Sequence, residues 1–388
     1  MNKVIKILAL TGIRSEYDLL YPLLKGMQAS TDYDLGIIVS GAHHSPLHDF
    51  SVELIRNDGF TIVDCIENLL YSDSLLGKTK SSAVLMGALA QTLARENPDF
   101  LMVLGDREES IIGSLTATYM NIPVIHLAGG DNTYPEGGNV DEQIRHAATK
   151  LSHVHFTMME EHSTRVKRLG EEPWRVFTVG SAGIDRLREE KHLDTTELSK
   201  AMGYDISQDY LVLIHHPLSS SIEQAADEIR ICLEQCIETG LQVFVGAPNS
   251  DPGSQEILKV LQEYSVSSQV HLYRNLKRNV FVNLLRNAKC LVGNSSLGIH
   301  EAPYLCLPAI NVGERQKGRI AGKNVQFVPP NPIDIRNAIN KALHNEDYRK
   351  ELKEDRFIYG DGYMVEKSLE IMKSLPSKKE LLAKKITY

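Results

Sequence analysis

Short apolar runs alternate with longer amphipathic stretches along nearly the whole chain, and this alternation constrains the fold more than any other feature. Compact runs, several of them rich in β-branched residues, occur at 4–10, 34–40, 100–104, 124–127, 154–157 and 176–179. A second series occurs at 211–214, 243–245, 270–273, 290–292 and 309–312, and intervening segments such as 82–95 and 109–119 have helical spacing. Strand–helix alternation of this kind predicts parallel sheets that are covered by helices on both faces.

The two series predict an α/β protein with two doubly wound, Rossmann-like domains that face a central cleft. We assign residues 1–185 to an N-terminal domain and residues 209–375 to a C-terminal, ligand-binding domain. The stretch 186–208 is polar and densely charged without a convincing strand, which indicates a linker. The lysine-rich end, 376–388, has a weak apolar pattern that fits either a frayed tail or a helix that docks back.

Composition and charge exclude several classes of protein. The chain has 42 Lys and Arg against 50 Asp and Glu, a net charge of −8, which disfavours a general nucleic-acid binder. No window approaches the roughly 18 apolar residues of a membrane span, and the N-terminus resembles a first strand more than a signal peptide. The five cysteines form no CxxC pair, so we expect a reduced, cytoplasmic protein. From the charge and the lack of a membrane span, we expect neither nucleic-acid nor membrane partners.

Ligands of open parallel sheets bind beyond the carboxyl ends of the strands, so the residues that follow each apolar run are the candidates. The first run leads into TGIRSEYD, which lacks the glycines of a dinucleotide fingerprint. Arg14 in this segment suits a phosphate or carboxylate at a helix start, or alternatively pairs with surface acids. Asp106, after the run 100–104, either directs a carboxylate into the cleft or caps the next helix.

The segment HLAGGD, at 126–131, is followed by a loop and by the helix start VDEQIRH, at 140–146. Two adjacent glycines allow the backbone to approach a ligand closely. Asp141 and Arg145 are four residues apart on one helix face, so they form part of a site or only a helix-surface ion pair.

In the second half, the segment HHPLSSS, at 215–221, offers a histidine as general acid or base near neutral pH. Neither HExxH nor clustered Cys/His spacing occurs, so we expect no metal. The segment GNSSLGIHEAP exposes backbone N–H groups that suit phosphate, or is a serine N-cap. The segment GERQKGR, at 313–319, brings three cations together, which favours anion binding over a solvated charged loop.

These motifs occur in the order seen in UDP-N-acetylglucosamine 2-epimerases. GIRSEYD, GDR, HxxGG, DExxRH, HHP, GNSSxG and GERQxGR are most similar to the hydrolysing branch of that family, from about residue 7 to 324. The resemblance implies a two-domain GT-B architecture, a UDP-sugar substrate, no cofactor, and a homodimer or homotetramer. It also implies a role in the synthesis of sialic or legionaminic acid.

The family reaction removes the C2 proton and expels UDP from C1, which leaves a 2-acetamidoglucal. Water then adds with inverted configuration at C2, and the free manno sugar results. Such chemistry needs a base near C2, a group that handles water, and cations or N–H donors that assist the departing diphosphate.

The resemblance assigns roles to particular positions. The catalytic residues that it implies are Asp106, Asp131, Asp141, Glu142 and His216. The UDP- or substrate-binding residues are Arg14, His44, Arg145, Ser295, Ser296, Gly298, Glu301, Arg315, Gln316 and Arg319, with Glu301 at the ribose hydroxyls.

One position departs from the family pattern. The third residue of the family's H-x-E-x-G motif is glutamate, whereas this chain has Ala128, and alanine cannot transfer a proton. Asp131 or Glu136 can take over this role. The shorter side chain leaves space for a C4 acetamido group, as in a UDP-2,4-diacetamido-2,4,6-trideoxy sugar.

Three alternatives remain open from the sequence. A non-hydrolysing 2-epimerase keeps UDP on the sugar, and a GT-B glycosyltransferase transfers the sugar to an acceptor. The third, suggested by Ala128, is a nucleotide-sugar sensor that has no activity.

Overall fold

The computed structural model describes residues 4–45, 50–70, 74–132, 140–218, 221–248, 253–274 and 276–388. These residues form two compact units. The first comprises the described residues up to Asp131 together with Val140–Asp185 and Gly360–Tyr388, and the second comprises Asn132 and Arg186–Tyr359. No helix in the described part of the chain is long and apolar enough to cross a membrane.

The first unit is built around a parallel sheet. Its strands are β1 (Ile5–Thr11), β2 (Tyr33–Val39), β3 (Ile62–Cys65), β4 (Phe100–Leu104), β5 (Val124–Leu127), β6 (Val154–Thr157) and β7 (Val176–Thr178). Its first helices are α1 (Arg14–Gln28), α2 (Val52–Asn57), α3 (Leu75–Glu96), α4 (Glu108–Tyr119), α5 (Val140–Leu151) and α6 (Glu160–Arg168). Helix α7 (Ala182–Glu189) leads the chain from the first unit into the second.

The second unit has a parallel sheet of its own. Its helices are α8 (Thr195–Met202), α9 (Ala225–Ile237), α10 (Ser254–Tyr264), α11 (Arg278–Asn287), α12 (Leu297–His300), α13 (Pro332–His344) and α14 (Glu346–Glu351). Its strands are β8 (Tyr210–Ile214), β9 (Gln242–Gly246), β10 (Val270–Tyr273), β11 (Leu291–Gly293), β12 (Ala309–Val312) and β13 (Val325–Val328). The chain then returns to the first unit with α15 (Met364–Lys373) and α16 (Lys378–Leu382).

Strand order places a switch point in each sheet. The first order is β3-β2-β1-β4-β5-β6-β7 and the second is β10-β9-β8-β11-β12-β13, with parallel pairing throughout both. The chain builds outward on one side of β1, or of β8, and then crosses to the other side. In such sheets ligands bind beyond the strand ends where the order reverses, here between β1 and β4 and between β8 and β11.

Each central strand is buried on both faces, which explains its uninterrupted apolar sequence. In β1, Ile7 and Ala9 pack into one core cluster, whereas Leu8 and Leu10 pack into another. Successive side chains of a strand point to opposite faces, so a sheet covered by two helix layers requires apolar residues at every position. The predicted two-unit α/β fold with parallel sheets is therefore confirmed.

The sequence analysis missed two strands, and both lie at sheet edges. Strand β3 has the sequence IVDC and no fully buried residue, and Asp64 interrupts its apolar character. Strand β13 has the sequence VQFV and is likewise only partly buried. Edge strands face fewer neighbours, so they lack the dense β-branched pattern that identifies a central strand.

The structure divides the chain differently from the predicted boundaries at 186–208 and 375. The stretch taken for a linker contains α8, which begins with a capping box of Asp194 and Glu197 and buries Leu198 in the second core. Helix α15 belongs to the first unit because its apolar face completes the core beside α1. The segment after it also docks there, since Leu381 of α16 is fully buried in the same core.

Candidate functional site

The site of the first unit lies at the carboxyl end of β4, beside the switch point. The Asp106 carboxylate forms an ion pair with the guanidinium of Arg145 from α5. Arg145 Nη1 also donates to Glu142 Oε2 at 2.6 Å and to the main-chain oxygen of Asp131 at 3.3 Å. The Arg145 side chain is 1% exposed and that of Asp106 is 27% exposed. A ligand can therefore reach the carboxylate of Asp106, while the buried guanidinium of Arg145 fixes the orientation of that carboxylate.

The acids around Arg145 stabilise its positive charge. Burial disfavours the charged guanidinium, but the nearby carboxylates of Asp106, Asp131 and Glu142 outweigh it and raise the pKa of Arg145. One buried cation thus serves three of the predicted catalytic acids.

Asp131 is held in place by helix α6. The Asp131 side chain is 5% exposed, and its Oδ1 lies 3.5 Å from Nε2 of the fully buried His162. Arg165, from the same helix, donates to the main-chain oxygen of Gly130 at 3.1 Å. Gly130 has a φ of +79°, and a Cβ there would lie 2.3 Å from the His162 carbonyl oxygen, so a larger residue cannot occupy this turn.

His126 connects the turn before Asp106 to helix α5. Its Nε2 lies 2.8 Å from the Gly105 carbonyl, which can only accept, so Nε2 carries the proton. Its Nδ1 then accepts from the Thr149 hydroxyl at 3.2 Å. Burial lowers the pKa of His126 to about 4, so the ring stays neutral and acts as a fixed brace.

Two buried glutamates at the same edge of the sheet were not identified from the sequence. Glu16 of α1 accepts from the Gly12 N–H at 2.9 Å, and Glu109 of α4 packs directly against Gly12. A Cβ at Gly12 would lie 1.8 Å from Glu109 Oε1, which explains the glycine after β1. Burial and the charge of Glu108 raise the pKa of Glu109 to about 7, and burial together with Glu109 raises that of Glu16. In the sequence, Gly12 after β1 was the signal for these two glutamates. Its contact with Glu109 can be recognised only in the folded chain.

The other candidates in this unit have less direct positions. Arg14 begins α1 as predicted, and its Nε lies 3.4 Å from Asp18 Oδ2, the surface-acid contact that the sequence left open. His44 Nε2 lies 3.5 Å from the Val39 carbonyl. Asp141 lies in the first turn of α5, but the described ion pairs of Arg145 join that arginine to Asp106 and Glu142.

Position 128 has an unusual backbone. Ala128 has a φ of +61°, a left-handed conformation that alanine rarely adopts, directly after β5. Its N–H is bonded to the Phe156 carbonyl at 2.9 Å, which holds the turn against β6. Asp131 follows this turn, and its main-chain oxygen accepts from Arg145, although position 128 itself carries no acid. Glu136, the other replacement considered, lies outside the described residues.

The site of the second unit is organised by Asn294, directly after β11. Its side chain accepts from the His216 N–H at 2.7 Å and donates to the His216 carbonyl at 2.8 Å. Its main-chain oxygen accepts from Arg315 at 3.1 Å and from Gln316 at 3.0 Å. One asparagine thus joins the loops that follow β8, β11 and β12.

The two adjacent histidines have different environments. The Nε2 of buried His215 lies 3.1 Å from Glu228 Oε2 of α9, so this nitrogen carries a proton directed to the carboxylate. Burial lowers the pKa of His216 well below its ordinary value, and the charges of Arg315 and His215 act in the same direction. His216 is therefore a neutral imidazole at physiological pH, the form that a general base requires.

The predicted phosphate-binding loop is partly engaged in packing. Ser295 and Ser296 are half-buried at the start of α12, and Ser295 Oγ accepts from the Leu297 N–H at 3.4 Å. Gly298 packs against β12, since a Cβ there would lie 3.1 Å from the Ala309 Cβ. Close packing against β12 is thus enough to explain why position 298 is a glycine.

The remaining binding candidates have protein partners. Glu301 is buried and ion-paired with Arg186 from the end of α7. Arg319 Nε donates to the Asn132 carbonyl at 2.7 Å. Among the described residues, no group of three or more His, Cys, Asp or Glu side chains could hold a metal ion.

Together, the two sites offer carboxylates in one unit and a neutral imidazole with cations in the other. Carboxylates held by a buried arginine suit the transfer of a carbon-bound proton. An imidazole beside Arg315 suits a leaving anion or an attacking water.

The chain is similar to proteins of one enzyme family over most of its length. A sequence profile of the UDP-N-acetylglucosamine 2-epimerase family matches residues 25–373. A Legionella pneumophila protein named UDP-N,N'-diacetylbacillosamine 2-epimerase (hydrolyzing) is 32% identical over 383 residues, which are 99% of each chain. A Campylobacter jejuni protein named GDP/UDP-N,N'-diacetylbacillosamine 2-epimerase (hydrolyzing) is 32% identical over 333 residues, which are 85% of each chain.

Solved structures share the fold. The crystal structure of a UDP-GlcNAc 2-epimerase from Neisseria meningitidis, bound to UDP-GlcNAc, is 18% identical with a TM-score of 0.72. The match covers 96% of this chain and 100% of that one, and at this identity it shows the fold alone. The profile spans most of the chain, and a relative above 30% identity covers nearly its full length. The chain therefore belongs to the UDP-N-acetylglucosamine 2-epimerase family.

Proposed function

We propose that this protein is a hydrolysing 2-epimerase that converts a UDP-2-acetamido sugar and water into the free manno-configured sugar and UDP. The observation that carries the proposal is the group of acids around Arg145, with Asp106 exposed to a ligand. Membership of the family and the hydrolysing activity in the names of two relatives support it.

The preferred substrate in this proposal is a UDP-2,4-diacetamido-2,4,6-trideoxy sugar. Both reported relatives are named for N,N'-diacetylbacillosamine, a sugar of that class. Ala128 agrees with this choice, because a methyl group at the turn leaves room that a longer acidic side chain would fill. UDP-GlcNAc is the comparison substrate in the test below.

In the proposed mechanism, the acids of the first unit remove the C2 proton. Asp106 reaches the substrate, Arg145 orients it, and Asp131 and Glu142 complete the set of carboxylates. Loss of the C2 proton and of UDP from C1 leaves an unsaturated sugar. Water then adds across the double bond, and its proton returns to C2 on the opposite face.

The second unit assists the leaving group in this proposal. Arg315 supplies a cation, and the loop at 294–296 supplies N–H donors to the diphosphate. His216 is neutral and so can take a proton from water or donate a hydrogen bond to a phosphate oxygen.

Three finer points complete the proposal. The free manno sugar is a precursor of sialic- or legionaminic-type acids, the protein acts in the cytoplasm, and it forms a homodimer or homotetramer. The five cysteines, odd in number and without a CxxC motif, support a reducing compartment.

The test is incubation of the purified protein with UDP-2,4-diacetamido-2,4,6-trideoxyglucose and, in parallel, with UDP-GlcNAc, without any acceptor. We expect free UDP and a free manno-configured sugar, identified by mass and by proton NMR. A product that retains UDP would instead show a non-hydrolysing epimerase. Release of UDP only when an acceptor is added would show a glycosyltransferase, and tight UDP binding without turnover would show a sensor.

A further inference from the structure

The C-terminal segment 377–388, which we call the strap, is attached to the first unit by buried polar contacts. Helix α16 begins at a capping box of Ser377 and Glu380. Arg175 is fully buried, and it donates to the main-chain oxygens of Leu381 at 2.8 Å and Glu380 at 3.3 Å. A frayed tail would not offer its main-chain oxygens to a buried guanidinium. The strap is therefore part of the folded unit.

The strap contacts the site helix through one side chain. Lys384 Nζ donates to the main-chain oxygens of Lys150 at 2.6 Å and Ser152 at 2.5 Å, at the carboxyl end of α5. The last carbonyls of a helix lack partners within it, and a cation there also complements the helix dipole. Lys384 therefore caps α5 from a position more than 230 residues further along the chain.

A buried carboxylate fixes the position of that ammonium group. Glu171 Oε2 lies 2.8 Å from Lys384 Nζ, and Glu171 Oε1 lies 2.8 Å from Lys150 Nζ. Burial alone would raise the pKa of Glu171, but the hydrogen bond from His155, the charge of Lys384 and the hydrogen bond from Lys150 lower it to about 2. The ionised carboxylate thus holds the lysine of the strap and a lysine of α5 together.

Helix α5 connects this cluster to the acids of the site. Its 12 residues form one continuous, hydrogen-bonded helix about 18 Å long. Arg145, which orients Asp106, is on the same helix as the capped carbonyls. Thr149 ties α5 to His126 and so to the turn before Asp106. A shift at the carboxyl end of α5 therefore moves the guanidinium that holds the exposed acid.

We infer that Lys384 is a positioning residue for the reaction: it anchors the end of α5 so that Arg145 holds Asp106 in the geometry that turnover requires. The inference rests on the proposed function. Lys384 acts through α5, and its described contacts lie at the far end of the helix from Glu142.

The test compares Lys384→Met with the matched control Lys385→Met, whose side chain is exposed on the same segment. For Lys384→Met we expect kcat to fall about tenfold or more, because small misplacements of catalytic groups are costly. KM and the UDP dissociation constant should stay within about twofold, because the groups proposed to bind the diphosphate, Arg315 and the loop at 294–296, belong to the second unit. Lys385→Met should match the wild type. An unchanged kcat in folded Lys384→Met would overturn the inference.

A charge-balanced double variant separates positioning from simple charge neutralisation. Glu171→Gln combined with Lys384→Met removes both charges of this pair and leaves Lys150, which is 38% exposed, to solvent, so no buried charge loses its partner and the test stays possible if the single variant fails to fold. We expect its kcat to remain low, because the anchor on the Lys150 and Ser152 carbonyls is still missing. Recovery of the wild-type kcat in the double variant would overturn the inference.

The same experiment distinguishes this inference from the proposed function. If the wild-type protein releases no UDP from either substrate, the proposed function fails. If the wild type turns over and the Lys384 variants turn over equally well, only the role of Lys384 fails.

Discussion

The buried carboxyl group of Glu109 gives a prediction whose sign and size follow from its environment. The Glu109 side chain is 4% exposed, and its pKa is raised to about 7 by burial and by the charge of Glu108. The folded state therefore binds the proton more tightly than the unfolded chain, whose glutamate has the ordinary pKa of 4.5. Stability from this group is fully present below pH 4.5 and is lost as the pH rises through 7.

The size of the effect follows from the two pKa values. Between pH 5 and pH 7.5, linkage through Glu109 alone lowers the free energy of unfolding by about 2 kcal/mol. Glu109→Gln keeps the shape of the neutral acid and cannot ionise. We therefore expect this variant to gain about 2 kcal/mol relative to the wild type over the same pH interval.

The assay is urea unfolding of both proteins at pH 5 and pH 7.5, followed by circular dichroism. Glu346→Gln is the control, because this glutamate is exposed at the start of α14. A difference between Glu109→Gln and the wild type that does not change with pH would refute the reasoning. So would a variant that becomes relatively less stable as the pH rises.

Four further outcomes follow, three from the sites and one from the attachment of α15. His216→Ala should abolish turnover and leave the melting temperature within a few degrees, and near-normal rates would contradict the role of the neutral imidazole. Asp131→Asn should lower kcat by about tenfold or more, measured by UDP release, since proton transfer by a positioned acid contributes 10²–10⁴-fold. Arg315→Ala should weaken UDP binding, measured by calorimetry, with far less effect on the conversion of bound substrate. Asp185→Ala should lower the unfolding free energy by about 2 kcal/mol, because its buried carboxylate accepts from the Met364 and Val365 N–H groups at the start of α15.

The parts of the fold that could be predicted from the sequence are those with a local hydrophobic pattern. The central strands, such as β1 and β8, are apolar at nearly every position because helices cover both faces, and that pattern is visible in one dimension. The position of α15 is not visible in this way. Its amphipathic pattern does not identify a partner, and α15 joins the first unit through the core contacts of Met364 and Val365 and through bonds of Asp185 and Tyr33 to its backbone.

The same division applies to the candidate sites. Asp106, His216 and Arg315 could be selected as candidates because each follows a strand, where parallel sheets bind ligands. Spacing along α5 suggested that Arg145 pairs with Asp141, but its partners include Asp106, which is 39 residues away along the chain. Glu109 and Glu301 show the same limit, since their environments are created by Gly12 and Arg186 from distant segments.

The central claim is that acids held by Arg145 remove a carbon-bound proton before UDP departs. The most direct measurement is proton NMR of the sugar formed from UDP-2,4-diacetamido-2,4,6-trideoxyglucose in deuterated water, for the wild type and for Asp106→Asn. The wild type should yield a free manno-configured sugar with deuterium at C2, and the variant should yield none. A free sugar that retains its original C2 hydrogen would contradict the account, as would full activity of Asp106→Asn.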